Sequence, residues 1–165
     1  MSTIAIVGAS LAGAAAADAA RRSGFEGEIL LIGDEGVAPY ERPPLSKGLL
    51  RGETEPGDTA VFENDHYSEL GVELRLNTRV VGMDPVAGRL DLDTGESLVA
   101  DRVLLATGAE PRTLDLPGAG LDGVRTLRSR TDSEELRAAI RAAGSIVVIG
   151  GGWIGCEVAA SARQM

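Results

Sequence analysis

Residues 3–34 of the chain read TIAIVGASLAGAAAADAARRSGFEGEILLIGD, and this stretch decides the fold class. A short apolar run from Thr3 to Val7 leads into a glycine turn, and an alanine-rich segment from Leu11 to Ser23 follows. A second apolar run, from Glu28 to Ile32, ends at an acidic cluster. A strand, a tight turn, a helix and a strand within about thirty residues predict a βαβ unit with parallel strands.

The turn itself, residues 8–13, reads GASLAG and fits the pattern GxGxxG with Ser10 at the middle glycine. In such turns the glycines allow a tight bend, a close approach to a pyrophosphate and close helix packing. Asp34 lies 21 residues after Gly13, near the ~20-residue offset of the acid that binds a ribose hydroxyl. The pattern predicts a dinucleotide site. The competing interpretation is an ordinary helix start followed by surface acids.

A second turn, residues 150–155, reads GGGWIG and directly follows the apolar run from Ser145 to Ile149. The pattern predicts a strand over that run and a helix continuing to Arg163. Two such turns in one chain indicate an enzyme that passes electrons between two cofactors, since each helix N-terminus offers N–H groups to phosphate. Glu157 has an alternative role as a first-turn acid. Trp153 either covers a bound ring or only packs.

The segments between the two turns predict mostly short elements. Residues 34–58 are rich in proline, glycine and charge and predict a loop with a short helix near residues 45–50. The strands predicted beyond it are 72–76, 80–83, 89–92, 97–99 and 102–106, and the helices are 63–70 and a segment capped by Thr131 or Asp132 that runs to Ala143. The three middle strands predict a small antiparallel meander, and 102–106 predicts a buried strand that returns to the first sheet.

Composition limits the functional classes. The net charge of -9 and the pI near 4.6 argue against a nucleic-acid partner, because such binding depends on Lys and Arg. No apolar run approaches the ~20 residues of a membrane span, and no basic leader precedes the first strand, so we expect a cytoplasmic protein without a membrane partner. Cys156 is the single cysteine and His66 the single histidine, and His66 is expected at the surface. Neither has a second ligand residue at metal-binding spacing, so no metal site is expected.

Four segments together resemble the FAD-dependent pyridine nucleotide-disulfide oxidoreductases, in the branch of the ferredoxin, putidaredoxin and rubredoxin reductases. They are IVGASLAG (6–13), PYERPPLSKGLL (39–50), LLATGAEPR (104–112) and VVIGGGWIGCEVAAS (147–161). The resemblance implies an α/β fold: a Rossmann-like FAD-binding domain over residues 1–143 with an inserted antiparallel β-meander. Residues 144–165 would begin a second Rossmann-like domain, which binds NAD(P).

By position, the resemblance also implies which residues bind the cofactors. For FAD they are Gly8, Ser10, Ala12, Gly13, Asp34, Glu35, Lys47, Val80, Thr107, Gly108 and Arg128. For the nicotinamide cofactor they are Gly150, Gly152, Ile154, Gly155 and Glu157. Asp34 would bind the adenosine ribose, with Glu35 as a second candidate. The backbone of Val80 would meet the adenine side, and Lys47 would lie near the flavin ring. No side chain is assigned a catalytic role, because hydride transfer needs no nucleophile or general acid.

The implied activity is electron transfer from NADH or NADPH through FAD to a ferredoxin-like iron-sulfur protein. Disulfide reductases of the family carry a CxxxxC pair where this chain has PYERPPLSK, so thiol chemistry is disfavoured. The alternatives are a non-catalytic FAD- or nucleotide-binding module and a flavin NADH oxidase. The second βαβ unit stops within its helix at Met165, so we expect an N-terminal fragment that is inactive by itself and self-associates.

Overall fold

The computed structural model describes residues 2–165, which form a mixed α/β structure. The strands are β1 (Thr3–Val7), β2 (Glu28–Ile32), β3 (Val72–Arg75), β4 (Val80–Asp84), β5 (Arg89–Leu92), β6 (Ser97–Val99) and β7 (Arg102–Leu105). The helices are α1 (Leu11–Arg22), α2 (Gly48–Arg51), α3 (Asn64–Glu69), α4 (Arg130–Ala142) and α5 (Trp153–Gln164), with 3-10 turns at Pro43–Ser46 and Pro56–Thr59.

The chain divides by its contacts into two compact units. The first unit contains the residues up to Glu41 together with Ala60–Gly108, and the second contains Arg42–Thr59 together with Ala109–Met165. These units are defined by packing, whereas the boundary predicted between residues 143 and 144 rests on the cofactor-binding segments. That domain boundary stays a prediction.

The first unit is built on a parallel sheet with the strand order β3-β2-β1-β7. β1 pairs with β2 on one side and with β7 on the other, so that Ile6 lies opposite both Leu31 and Leu104. The βαβ unit formed by β1, α1 and β2 is therefore confirmed, as is the return of the later strand to the first sheet. Parallel strands end at the same edge, which collects the turns that follow β1, β2 and β7.

Alternate residues of the central strands enter two different cores. On one face Ile6, Ile29 and Leu31 pack with the small residues of α1 and with Tyr67 of α3. On the other face, Val7 and Ile32 pack with Leu90 of β5. Because successive side chains of a strand point to opposite faces, this sheet is apolar on both sides and is covered on both.

The predicted meander is confirmed. Strands β4, β5 and β6 form a separate antiparallel sheet, with a bulge between Val80 and Gly82. Leu90 is fully buried against the parallel sheet, and the partly buried Leu98 of β6 packs against the same core. The meander therefore covers one face of the parallel sheet.

The second unit packs α2, α4 and α5 around Leu50, Ile140 and Val158. Two buried hydroxyl groups fasten these helices to the proline-rich segment. Ser133 Oγ donates to Leu45 O at 2.7 Å, and Ser161 Oγ donates to Ser46 O at 2.7 Å. Each bond gives a buried serine hydroxyl group a carbonyl partner.

The predicted cap of α4 at Thr131 or Asp132 is wrong. Ser129 is the N-cap, and its Oγ accepts from the Asp132 N–H at 3.1 Å. The Asp132 carboxylate accepts from the Ser129 N–H at 2.7 Å, which completes a capping box. The two side chains together satisfy the N–H groups of Ser129 and Asp132. A cap at Thr131 or Asp132 would leave both N–H groups unpaired.

Two expectations about strands are also corrected. Residues 145–149 form no strand, because no segment within residues 2–165 pairs with them, and Val147 is 87% exposed. β7 is a strand but not a buried one, since Leu104 is 42% exposed and Leu105 is 59% exposed. It lies at the edge of the parallel sheet, where β1 is its one neighbour among the strands of residues 2–165. None of the helices in residues 2–165 has the length and apolar character needed to cross a membrane.

Candidate functional site

The first glycine turn joins β1 to α1 at the carboxyl edge of the parallel sheet. Gly8 has φ +120° and donates its N–H to Ile32 O at 2.8 Å, which ties the turn to the end of β2. A Cβ at Gly8 would overlap the Ala106 carbonyl oxygen, just beyond β7. Both the positive φ and this close approach require glycine. The turn therefore lies between the ends of β2 and β7.

Gly13 brings α1 close to this turn. A Cβ at Gly13 would overlap the Gly8 carbonyl oxygen and would lie 3.0 Å from Leu31 Cδ1. Only a glycine allows the first turn of α1 to contact both the turn backbone and β2. This contact is the helix-strand packing that the third glycine of the pattern predicts.

The N-terminus of α1 has no protein cap. Ser10 is the N-cap residue in an extended conformation, its side chain makes no capping hydrogen bond, and no acid lies in the first turn. The first N–H groups of an α-helix have no intrahelical partners, and the helix dipole adds partial positive charge there. Ala12 and Gly13 lie within this first turn. The arrangement fits the pyrophosphate of a dinucleotide.

The two candidate acids after β2 have different environments. Asp34 is exposed, and its Oδ2 accepts from Arg79 Nη2 at 2.7 Å. Glu35 is partly buried, and its Oε2 accepts from the Tyr40 hydroxyl at 2.5 Å. Tyr40 is itself buried, so the Glu35 carboxylate serves the packing of the loop. Asp34 is the acid more accessible to a ribose.

Three other predicted residues lie in the first unit. Thr107 and Gly108 follow β7 and are exposed, and Gly108 has φ +70°. The Thr107 nitrogen lies 3.0 Å from the position that a Cβ on Gly8 would take, so this segment borders the first turn. Val80 begins β4 and pairs with Leu92. The structure thus brings Thr107 beside the Gly8 turn and places Val80 next to Arg79, the partner of Asp34.

The second glycine turn, in the second unit, repeats the local geometry of the first. Gly150 has φ +111°. A Cβ at Gly155 would overlap the Gly150 carbonyl oxygen, just as a Cβ at Gly13 would overlap the Gly8 carbonyl oxygen. Gly152 is the N-cap of α5, without a side-chain capping bond or an acid in the first turn. Ile154 is exposed, and Trp153 is 88% exposed. The turn therefore has the form of a second phosphate cradle.

Lys47 and Glu157 form an ion pair in the second unit, with 2.8 Å between Nζ and Oε2. The same Oε2 accepts from Ser46 Oγ at 2.5 Å. The hydrogen bonds from Lys47 and then Ser46 hold the pKa of Glu157 below its usual value. Glu157 lies beyond the first turn of α5, so its contacts are with the PPLSK segment and not with the helix N-terminus. Lys47 is the only lysine of the sequence.

Hydrogen bonds of its backbone groups fix the position of Arg128. Its carbonyl accepts from Arg42 Nη1 at 2.6 Å, and its N–H donates to the Asp132 carboxylate at 2.9 Å. Its side chain is partly buried. These contacts fix the segment just before α4, and they leave a cofactor-binding role of the guanidinium as a prediction.

Sequence reasoning missed two residues that contact the predicted site residues, Arg79 and Ser46. Arg79 directly precedes Val80, and Ser46 directly precedes Lys47. No short pattern in the sequence signals either contact, because Arg79 lies 45 residues from Asp34 and Ser46 lies 111 residues from Glu157. His66, expected at the surface, is partly buried, and its ring nitrogen lies 3.0 Å from Asp18 Oδ1. Within residues 2–165 no cluster of His, Cys, Asp or Glu has metal-binding geometry, and Cys156 is free and exposed.

Known proteins are similar to this chain along nearly its whole length. The chain is 44% identical over 163 residues to the biphenyl dioxygenase system ferredoxin–NAD(+) reductase component of Paraburkholderia xenovorans, covering 99% of this chain and 40% of that protein. It is 40% identical over 159 residues to a rubredoxin-NAD(+) reductase of Pseudomonas putida, covering 96% of this chain and 41% of that protein. The chain thus spans about two fifths of the length of these relatives.

Solved structures share the fold. The ferredoxin reductase for the CYP199A2 system from Rhodopseudomonas palustris superposes with a TM-score of 0.94 at 38% identity, covering 99% of this chain and 40% of that one. Putidaredoxin reductase in its covalent complex with putidaredoxin gives a TM-score of 0.90 at 37% identity, with the same coverage. The family model of the pyridine nucleotide-disulphide oxidoreductases matches residues 2–165. The chain belongs to the pyridine nucleotide-disulphide oxidoreductase family.

Proposed function

We propose that this chain supplies the FAD-binding βαβ unit, and the first part of the NAD(P)H-binding unit, of a ferredoxin reductase. The observation that carries the proposal is the uncapped N-terminus of α1 above the Gly8–Gly13 contact, with an accessible acid after β2. Helix N–H groups and a ribose-binding acid are what an adenine dinucleotide requires. The relatives are named as ferredoxin and rubredoxin reductases, which supports the proposal that the electron acceptor is a ferredoxin-like iron-sulfur protein.

The two glycine turns would divide the binding of the cofactors. Gly8, Ser10, Ala12 and Gly13 would hold the FAD pyrophosphate, and Asp34 would accept from the adenosine ribose. In the second unit the turn of Gly150, Gly152, Ile154 and Gly155 would hold NADH or NADPH. When bound, FAD supplies hydride acceptance from NAD(P)H and single-electron transfer to an iron-sulfur protein. The chain's own residues bind the two cofactors and orient them.

The ion pair of Lys47 with Glu157 is proposed to fix a positive charge beside the flavin ring. Glu157 Oε2 holds Nζ at 2.8 Å, and Lys47 Nζ also donates to Pro43 O at 3.2 Å. The buried Ser161 hydroxyl anchors the neighbouring Ser46 carbonyl. An ammonium group held in this way is a fixed point charge, and such a charge stabilises negative charge that develops close to it.

Steady-state assays of the complete gene product test the proposal against the oxidase alternative. The protein is loaded with FAD and given NADH or NADPH, with a ferredoxin as acceptor in one reaction and oxygen alone in another. Reduction of the ferredoxin much faster than peroxide formation is the expected result. Oxidation of NAD(P)H that needs oxygen and leaves the ferredoxin oxidised would contradict the reductase assignment.

A further inference from the structure

Arg79 contacts the predicted ribose acid, and its backbone is fixed by the meander. Its N–H donates to Asp93 Oδ1 at 3.0 Å, and the Asp93 N–H donates back to the Arg79 carbonyl at 2.9 Å. Asp93 begins the turn between β5 and β6. This reciprocal pair fixes the point from which the Arg79 side chain extends toward the end of β2.

The segment before Arg79 is fastened to the end of β2 as well. The Gly33 N–H donates to Arg75 O at 2.9 Å, and the Thr78 N–H donates to Gly33 O at 2.9 Å. Asn77 adopts a positive φ of 51° and donates its N–H to Glu35 O at 3.3 Å. Three backbone bonds therefore hold the chain leading to Arg79 against the residues that flank Asp34.

The contact between the two side chains leaves half of the carboxylate free. Arg79 Nη2 binds Asp34 Oδ2 at 2.7 Å, and within residues 2–165 no protein group donates to Oδ1. A carboxylate has lone pairs for about four hydrogen bonds, so one bound oxygen fixes its orientation and the other still accepts. Both side chains are about half exposed, and exposed ion pairs add little to folding stability.

We propose that Arg79 is a positioning residue for the adenosine end of the dinucleotide. It holds Asp34 by one oxygen so that the other is presented to the ribose hydroxyls. The neighbouring Val80 is the residue predicted to meet the adenine, so the dipeptide 79–80 would serve both parts of the adenosine. This inference rests on the proposed FAD site, and it adds a determinant of ligand preference.

The test compares FAD with an analogue whose adenosine lacks both ribose hydroxyls, by titration of the complete gene product without turnover. The quantity compared is the ratio of the affinity for FAD to the affinity for the analogue. Because a hydrogen bond to a charged group is involved, this ratio should be roughly ten or more in the wild-type protein. Asp34→Asn should bring this ratio close to one. Arg79→Gln should lower the ratio at least about threefold and Arg79→Lys by less, because an ammonium keeps the charge but loses the planar fork.

Two controls separate positioning from general destabilisation. Arg89→Gln removes a comparably exposed ion pair with Asp91, 3.2 Å long, and should leave the ratio unchanged. The double variant Asp34→Asn/Arg79→Gln should show no lower ratio than Asp34→Asn alone, because Arg79 acts through Asp34. An Arg79→Gln protein that binds both ligands with the wild-type ratio would overturn the inference and leave the FAD site intact. A wild-type protein that does not bind FAD would overturn both.

Discussion

Among single residues, Gly13 occupies a position in the first turn that leaves no space for a Cβ atom. Any side chain there meets the Gly8 carbonyl oxygen and Leu31, and a β-branched one cannot rotate away. We expect Gly13→Val to abolish FAD binding, measured by flavin fluorescence titration of the complete gene product. Gly57→Val is the matched control, since a Cβ at Gly57 meets nothing within 4 Å. Wild-type FAD affinity in Gly13→Val would show that the turn does not bind the pyrophosphate.

Tyr67 is a buried phenol without a partner for its hydroxyl among the described residues. Burial raises its pKa to about 12. Removing an unsatisfied buried hydroxyl costs nothing and relieves a penalty of about 1–3 kcal/mol, so Tyr67→Phe should unfold at an equal or higher urea concentration. Tyr40→Phe should lower that concentration, because the Tyr40 hydroxyl donates to Glu35. A clear loss of stability in Tyr67→Phe would contradict this account.

The same residue gives the protein a pH dependence in alkali. The unfolded phenol titrates near pH 10, whereas the folded one holds its proton to about pH 12. The unfolded state therefore binds fewer protons in this range, and stability falls as the pH rises from about 10 to 12. Urea unfolding at pH 8 and at pH 11 should show a smaller decrease for Tyr67→Phe than for the wild-type protein.

At the scale of elements, one arginine fastens the end of α1 to two loops. The Arg21 guanidinium donates to the carbonyls of Phe25, Gly27 and Leu70 at 2.6 Å and of Gly71 at 2.9 Å. Its removal leaves several carbonyls without this donor, so Arg21→Ala should cost at least about 2 kcal/mol of unfolding free energy. Arg22→Ala removes a mostly exposed guanidinium group from an i,i+4 ion pair with Asp18 and should cost less than about 0.5 kcal/mol. Equal urea midpoints for the two variants would contradict the assigned role.

The capping box of α4 gives a second prediction at this scale. Ser129→Ala removes the acceptor for the Asp132 N–H and should cost about 1 kcal/mol, whereas Ser129→Gly should cost only a few tenths. Denaturant unfolding of the two variants measures the difference. Thr131→Ala serves as the control, because Thr131 is one of the two cap positions that the sequence predicts. A larger loss of unfolding free energy in Thr131→Ala than in Ser129→Ala would contradict the assignment of Ser129 as the N-cap.

The elements also show how far the sequence predicts this fold. The glycine turns, the βαβ unit and the meander follow from local patterns, because period, turn residues and helix caps act over a few residues. The expectations for residues 145–149 and for the burial of β7 failed for one shared reason. Apolar β-branched runs predict buried strands only when a neighbour pairs with them, and pairing depends on residues distant in sequence.

For the molecule as a whole, the same limit applies to the site. The turn at 8–13 and Asp34 could be predicted because their spacing is set within one βαβ unit. Arg79 lies 45 residues from Asp34, and only the parallel pairing of β2 with β3 brings it there. The pairing of Lys47 with Glu157 likewise joins residues 110 positions apart, and no short pattern encodes it.

The central claim is that the first glycine turn and Asp34 bind the adenosine diphosphate half of FAD. Calorimetric titration of the complete gene product with FAD and with FMN tests it most directly, because FMN carries the same flavin ring and one phosphate group but lacks the adenosine monophosphate part. The account predicts that FAD binds far more tightly than FMN and that ADP competes with FAD. Equal affinities for FAD and FMN, with no competition by ADP, would contradict it.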